Sequence, residues 1–312
     1  MKTPFLKQAF FGGILLALSV VGQAPISAIA TAPEQPRITQ SFDADWRFLK
    51  GEAAGAENPT FDDAAWRKLD VPHDWSIEGP FDEKAPTLGS GGFLPSGVAW
   101  YRKHFNPGSD LRRRVFVEFD GVMANAEVWV NNFYLGKRPY GYSSFGYDLS
   151  DHLNFGKDNV IVVKTDTSQQ PASRWYTGAG IYRHVRLVIT DPIHIEKWST
   201  FVTTPNVSGT EATVKVSSKA VVPYRVEKQI SFDIKIYDDQ GKLVGTKKTK
   251  SGTISPSQPM SLDEDVTVAS PRLWNLETPR MYKAVVSIVS AGKVVDAETI
   301  PFGIRSFEFV PA

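Results

Sequence analysis

Short runs in which apolar and polar residues alternate dominate this chain, and helical periodicity is almost missing. Residues 114–122 (RVFVEFDGV), for example, put Val115, Val117 and Phe119 on one face. Period-2 runs of this kind, separated by Gly, Pro, Asn and Asp, are typical of half-buried strands joined by turns. The pattern excludes alternating β-α units and predicts an all-β protein built from sandwiches or barrels.

Turn residues predict where some of these strands reverse. Asn131 and Asn132 separate two strand-like runs, and Asn tolerates the positive φ that a two-residue hairpin turn requires. The segments DDQG (residues 238–241) and SAGK (residues 290–293) also read as tight turns. Apolar and polar residues alternate again near the end of the sequence, where Phe307 and Phe309 lie on either side of Glu308. This alternation predicts a half-buried strand at these residues.

A change of composition near Pro192 predicts a domain boundary. Pro192 cannot donate to a strand ladder, so it interrupts the strand that ends at Ile189. After it the chain is rich in Val, Lys, Ser and Thr, and strand-like runs recur about every ten residues, as in an immunoglobulin-like sandwich. We therefore expect one sandwich over residues 31–191 and a second over residues 192–306.

The N-terminus has the features of a cleavable signal peptide. Lys2 and Lys7 precede a 13-residue apolar run over residues 9–21, and Ala28 and Ala30 supply small residues before a cleavage point. The run is short for a bilayer span, although an uncleaved membrane anchor is the rival interpretation. Residues 1–30 are thus expected to direct export to the periplasm or the medium, with cleavage after Ala30.

Charge and cysteine content exclude several classes of function. Removing residues 1–30 takes away two Lys and no acid, so the formal charge changes from +1 to −1. A nearly neutral protein has no field to hold nucleic acid or an anionic membrane. The chain has no Cys, and its five His have no metal-ligand spacing, so neither a disulfide, a metal site nor another cofactor is expected.

Three segments carry a likeness to a known family: residues 71–82 with 97–105, residues 119–153, and residues 173–195. Together they resemble the leading domain of family 2 glycoside hydrolases, most of all the β-galactosidase branch, and residues 271–288 and 302–309 resemble the family's second domain and its exit strand. The resemblance implies a jelly-roll sandwich of the galactose-binding type over residues 31–191. It also implies an immunoglobulin-like sandwich over 192–306 and the start of a linker over 307–312.

The resemblance further implies that catalysis belongs to a third domain, an (α/β)8 barrel. Retaining hydrolysis needs two carboxyl groups about 5 Å apart, and a barrel to hold them takes about 250 residues. The family's Asn-Glu pair, which carries the acid, occurs nowhere in this sequence, and Glu277 reads as a solvated loop acid. No catalytic residue is therefore expected here, and the chain is not expected to hydrolyse glycosides alone.

Substrate contact is expected from three residues in an assembled enzyme. The segment SRWYTGAG (residues 173–180) matches a family loop that reaches towards the active-site mouth. Arg174 can hydrogen-bond a sugar hydroxyl and Trp175 can stack on a sugar ring. Alternatively, Trp175 packs inside the sandwich and Arg174 closes a domain contact. Asp74, in PHDW, either contacts substrate or accepts backbone hydrogen bonds and fixes its loop.

These observations leave three hypotheses. The first is the non-catalytic N-terminal part of an exported β-galactosidase-like enzyme, which binds a β-galactoside-like carbohydrate and associates with a catalytic barrel or with further copies. The second is a stand-alone exported carbohydrate-binding protein, and the third is a structural sandwich pair that docks on another chain. For the first, we expect an exposed apolar patch near Phe307 and Phe309.

Overall fold

The computed structural model describes residues 36–224 and 226–309, together with Met1. The described residues from Pro36 to Phe309 form one compact unit. Apart from Met1, the expected signal peptide and its cleavage site at Ala30 lie outside the described residues. No helix within the described residues has the length and apolar character that a membrane crossing requires.

The described residues form antiparallel strands with only three short 3-10 helices, so the predicted all-β class is confirmed. The strands are β1 (Arg37–Ser41), β2 (Trp46–Lys50), β3 (Arg67–Leu69), β4 (Val98–Phe105), β5 (Arg114–Phe119), β6 (Ala126–Val130), β7 (Phe133–Arg138), β8 (Phe145–Asp148), β9 (Asn159–Asp166), β10 (Val185–Thr190), β11 (His194–Ile195), β12 (Phe201–Val207), β13 (Glu211–Val221), β14 (Lys228–Tyr237), β15 (Leu243–Lys248), β16 (Gly252–Ile254), β17 (Met260–Ala269), β18 (Tyr282–Ser290) and β19 (Lys293–Phe302). The 3-10 helices are Trp75–Glu78, Gly89–Gly91 and Ser150–His152.

The first sandwich is the jelly roll, and it stacks a four-stranded sheet, ordered β1-β10-β5-β8, on a six-stranded sheet, ordered β3-β2-β4-β9-β6-β7. The alternation in β5 has the expected effect, because Val115, Val117 and Phe119 are fully buried between the sheets. Aromatic rings fill the rest of this core, where Trp46 meets Tyr101 edge to face at 6.4 Å between ring centroids. The apolar face of each strand thus holds the two sheets together.

The predicted hairpin at the two asparagines is confirmed. β6 pairs with β7, and Asn131 and Asn132 both have positive φ, 49° and 71°, as a two-residue turn of this kind requires. The Asn131 side chain also accepts a hydrogen bond from the backbone N–H of Val160 at 3.0 Å. The turn is therefore tied to β9, which fixes the register of β6, β7 and β9 together.

The second sandwich is immunoglobulin-like. One sheet contains β11, β12, β13 and β17, and the other contains β14, β15, β16, β18 and β19. The long strands alternate strictly, so that Ile230, Phe232, Ile234 and Ile236 of β14 all point into the core. Tight turns occur at both predicted places: φ is positive at Gly241 in the first turn and at Ala291 and Gly292 in the second.

A buried ion pair connects the two sandwiches. The Arg37 guanidinium on β1 donates to both carboxylate oxygens of Asp296 on β19, at 2.9 and 2.6 Å, and to Glu298 at 2.5 Å. It also donates to the backbone carbonyl of Ile195 at 3.0 Å, and the Ile195 N–H donates to Asp296 at 2.7 Å. Asp296 is fully buried, and this network fixes the end of β11 against the first sandwich.

The expectation of a strand at Phe307 and Phe309 is wrong. β19 ends at Phe302, which is paired with Tyr282, the first residue of β18, and the described residues after it form no further strand. Phe307 and Phe309 are instead 71% and 86% exposed, with their rings edge to face at 5.6 Å. Alternation predicted burial here, but a strand also needs a neighbour. The two exposed rings do agree with the expected apolar patch.

Candidate functional site

A cleft of about 840 Å³ opens at one end of the first sandwich. β9, β6 and β7 are antiparallel neighbours, so the last residue of β9, the first of β6 and the last of β7 meet at the same edge of the six-stranded sheet. The loops that leave this edge, over residues 123–125, 139–142 and 166–177, supply the cleft's walls. Its volume is in the range of small-molecule binding sites.

Exposed aromatic side chains form one wall of the cleft. Trp175 is 61% exposed, and its indole Nε1–H donates to the hydroxyl of Tyr142 at 2.9 Å. The Tyr142 ring lies 5.5 Å from that of Tyr140, which also lines the cleft. The alternative in which Trp175 packs inside the sandwich is thus wrong. The indole is held in place by a hydrogen bond while much of its surface faces solvent.

Polar groups lie beside this aromatic wall. Arg174 lines the cleft and is exposed, and no hydrogen bond or ion pair connects it to another described residue. Asn125 donates through its side-chain amide to the backbone carbonyl of Asp166 at 2.9 Å, which joins two of the cleft's loops. The guanidinium of Arg174 is therefore available to a ligand, whereas Asn125 is engaged in holding the walls.

Asp166 is the carboxylate on the cleft wall, and it does not suit general-acid chemistry. Partial burial opposes its ionisation, but the hydroxyl and the backbone N–H of Ser168 donate to it and lower its pKa below the usual range. A carboxyl group with a lowered pKa is ionised at neutral pH and has no proton to give to a leaving group. In the described part of the chain, no cluster of three or more His, Cys, Asp or Glu is placed to hold a metal ion.

Asp74 is not among the described residues that line the cleft. One carboxylate oxygen accepts from the backbone N–H groups of Ser76 at 3.1 Å and Ala179 at 2.9 Å, and the other accepts from the Tyr176 hydroxyl at 2.5 Å. Burial raises the pKa of the Tyr176 hydroxyl well above its usual range, and the hydrogen bond to the Asp74 carboxylate raises it further. Asp74 thus holds the loop that carries Arg174 and Trp175.

Two glycines allow the loop over residues 173–180 to approach Asp74 and Tyr101 closely. Gly178 and Gly180 both have positive φ, 76° and 112°. A Cβ atom on Gly178 would lie 2.8 Å from Asp74 Oδ2, and one on Gly180 would overlap the Tyr101 hydroxyl. The backbone of Gly180 exchanges hydrogen bonds of 2.9 and 2.7 Å with Met123. Gly178 and Gly180 therefore let the end of the loop pack closely against Asp74, Tyr101 and Met123.

Sequence reasoning missed Tyr140 and Tyr142. Both belong to the segment RPYGYSSFGY, where two tyrosines flank a glycine directly after β7. A Cβ atom on Gly141 would lie 2.6 Å from Met123 Sδ, so this glycine lets the loop fold against the cleft floor. Aromatic residues spaced around a glycine at a strand end were a usable signal. Their partner Trp175 lies 33 residues away, however, and no local pattern joins the two.

Two models of one known protein family match the two sandwiches. The model of the "Glycosyl hydrolases family 2, sugar binding domain" matches residues 92–192, which include the cleft. The model "Glycosyl hydrolases family 2" matches residues 193–305, which form the second sandwich.

Individual relatives agree with these matches. The chain is 40% identical to β-galactosidase BoGH2A of Bacteroides ovatus, over 87% of this chain and 32% of that protein. It is 32% identical to a β-glucuronidase of Formosa agariphila, over 88% of this chain and 30% of that one. The chain thus spans about a third of the length of these curated relatives.

Solved structures show the same fold. A glycosyl hydrolase family 2 member from Bacteroides cellulosilyticus superposes with a TM-score of 0.84 at 37% identity, over 87% of this chain and 36% of that one. A β-glucuronidase from glycoside hydrolase family 2 superposes with a TM-score of 0.82 at 31% identity, over 89% of this chain and 31% of that one. The chain therefore belongs to glycoside hydrolase family 2, and it carries that family's N-terminal sugar-binding and immunoglobulin-like domains.

Proposed function

We propose that this chain is the non-catalytic, substrate-binding N-terminal part of an exported family 2 glycosidase that acts on β-galactosides. The observation that carries the proposal is the exposed Trp175, fixed by its hydrogen bond to Tyr142 on the wall of the cleft. The Trp175 indole is held by this hydrogen bond and is still exposed, so it offers a flat apolar surface on which a ligand can stack. The apolar face of a pyranose suits this ring, and its hydroxyls suit the guanidinium of Arg174, to which no other described residue is bonded.

The galactoside assignment rests on likeness. The relative at 40% identity is named a β-galactosidase, whereas others are named β-glucuronidases. Asp74 enters the proposal as a positioning residue for the loop of Arg174 and Trp175. Catalysis is assigned to residues beyond the two sandwiches, since retaining hydrolysis needs a protonated acid beside a nucleophile and the cleft's Asp166 is ionised.

One observation favours a second function, carbohydrate binding without any catalytic partner. All the residues that line the cleft lie between Met123 and Thr177, so one sandwich supplies every described wall. A site built in this way can bind sugar in the isolated chain. The two functions differ in what an added catalytic domain does, because only the first predicts that this chain raises the activity of such a domain.

The binding proposal is tested with the purified chain and lactose as the probe. We expect weak, saturable binding by calorimetry that Trp175→Ala reduces at least tenfold, because stacking on an aromatic side chain contributes on the order of 1–3 kcal/mol for nucleic-acid bases and about 1.4 kcal/mol is a tenfold change in affinity. Phe201→Ala is the matched control, because Phe201 is an exposed ring on the second sandwich. Equal binding by the Trp175 variant and the wild type would contradict the proposal.

The activity proposal has its own assay. We expect no turnover of a chromogenic β-galactoside by the chain alone, because binding without transition-state stabilisation does not accelerate a reaction. Turnover that stays constant through purification and disappears when an acid of this chain is replaced would show a catalytic site in it.

Export is also part of the proposal. Lys2 and Lys7, the apolar run over residues 9–21 and the small residues Ala28 and Ala30 support it. Secreted material is expected to begin at Thr31 on N-terminal sequencing. Material that still begins at Met1 and sediments with membranes would instead support the anchor interpretation.

A further inference from the structure

A second cleft, of about 410 Å³, lies between the two sandwiches, away from the loops around Trp175. Glu118 of β5 lines it from the first sandwich, and Glu298 of β19 lines it from the second. Lys197 and Trp198, in the segment that follows β11, complete it. Its volume again falls within the range of small-molecule sites. None of its residues belongs to the first cleft.

Trp198 gives this cleft an exposed aromatic surface. The side chain is 60% exposed, and its backbone has φ of 58°, which is uncommon for a residue other than glycine. The Lys197 ammonium lies 4.3 Å from the centroid of the indole ring. The cation covers part of the ring while much of the indole stays accessible to a ligand.

The Lys197 ammonium, a donor without a hydrogen bond, and the Glu118 carboxylate both line the cleft with Trp198. Lys197 Nζ is 3.5 Å from Glu118 Oε1, within ion-pair distance, yet it makes no hydrogen bond to any described residue. Burial lowers the pKa of Lys197, so its charge is poorly solvated. A buried ammonium that makes no hydrogen bond costs free energy. A ligand's hydroxyl groups can recover it when the Lys197 side chain, which is 24% exposed, turns its Nζ towards the cleft.

The floor of the cleft is already satisfied and rigid. Glu298 accepts from Arg37 at 2.5 Å through one oxygen and from the Thr200 hydroxyl at 2.7 Å through the other. Arg37 and Lys197 are balanced by Glu118 and Glu298, so the charged groups lining this cleft sum to zero. Balanced charges favour a neutral, hydroxyl-rich ligand over an anion.

From this geometry we propose a second carbohydrate-binding site, in which a neutral pyranoside stacks on Trp198 and its hydroxyls bridge Lys197 and Glu118. The site is independent of the cleft at Trp175. Because residues of both sandwiches line it, a bound ligand would also hold the two sandwiches together.

The test uses the full chain labelled with ¹⁵N at tryptophan indoles and titrated with lactose, cellobiose or xylobiose, and in a separate titration with glucuronate. The resonance of Trp198 is identified by its disappearance in Trp198→Phe. We expect this resonance to shift saturably with at least one of these sugars, both in the wild type and in Trp175→Ala. Lys197→Met, which removes the donor and keeps a similar shape, is expected to weaken the effect about tenfold.

Three results would overturn the proposal. The first is a Trp198 resonance that does not shift saturably with any of the three sugars. The second is a shift that disappears in Trp175→Ala, which would assign it to the first cleft. The third is tighter binding of glucuronate than of the neutral sugars. If the wild type binds sugar at Trp198 but not at Trp175, the proposed function is refuted while the second site stands. The remaining indole resonances report whether each variant is folded.

Discussion

Removing the Arg37 side chain is expected to destabilise the protein more than removing any comparable arginine on the surface. In Arg37→Ala the Asp296 carboxylate, which is fully buried, loses both bonds from the guanidinium and keeps only that from the Ile195 N–H. Breaking a buried pair from one side costs about 3–5 kcal/mol, because an uncompensated charge stays behind. We expect a loss in the free energy of unfolding of this size.

A matched control is available on the first sandwich. Arg186 also makes a two-pronged pair with an aspartate, Asp120, at 2.6 and 2.7 Å. The two side chains are 37% and 31% exposed, so water solvates the partner that remains. Exposed pairs contribute about 1 kcal/mol or less, and we expect no larger loss for Arg186→Ala.

Equilibrium urea unfolding followed by far-UV circular dichroism measures the difference. With a slope of about 3 kcal/mol per molar urea, a loss of 3 kcal/mol lowers the midpoint by about 1 M. The double variant Arg37→Ala/Asp296→Ala should recover part of the loss, since it removes the buried charge as well. If Arg37→Ala and Arg186→Ala lower the midpoint equally, burial of Asp296 does not govern the strength of this pair.

Three further predictions concern acid stability, backbone freedom and exposed apolar surface. Hydrogen bonds from Arg67 lower the pKa of Glu78 to about 2, so its contribution to stability is present above its ordinary pKa and is lost as pH falls towards 2. Because the Glu78 side chain is 36% exposed, we expect about 1 kcal/mol, and Glu78→Gln should flatten an acid titration of stability by that amount. Gly180→Ala should cost about 1–3 kcal/mol in thermal unfolding, since it forces a side chain into a strained backbone and against its neighbours, whereas Gly209→Ala, with open space around it, should change little. Phe309→Ser should lower the binding of an apolar fluorescent dye without a measurable loss of stability, and unchanged dye binding would show that the exposed patch lies elsewhere.

The sequence was sufficient where the determining interactions are local. Alternation within β5 decides which residues face the core, because successive side chains of a strand point to opposite faces. The Asn131-Asn132 turn could be located because positive φ restricts the residues that can occupy it. The family likeness added what no pattern contains, namely the identity of the two sandwiches.

Tertiary structure decided what depends on distant segments. Trp175 meets Tyr142 because β9, β6 and β7 are neighbours in one sheet, and no residue near Trp175 in sequence encodes that order. Phe309 alternates as a strand residue does, yet it is exposed because β18 provides no partner beyond Phe302. Alternation specifies which face of a strand turns inward. Only the pairing of strands, which depends on residues far apart in the chain, determines whether a strand forms at all and which side chains meet at its end.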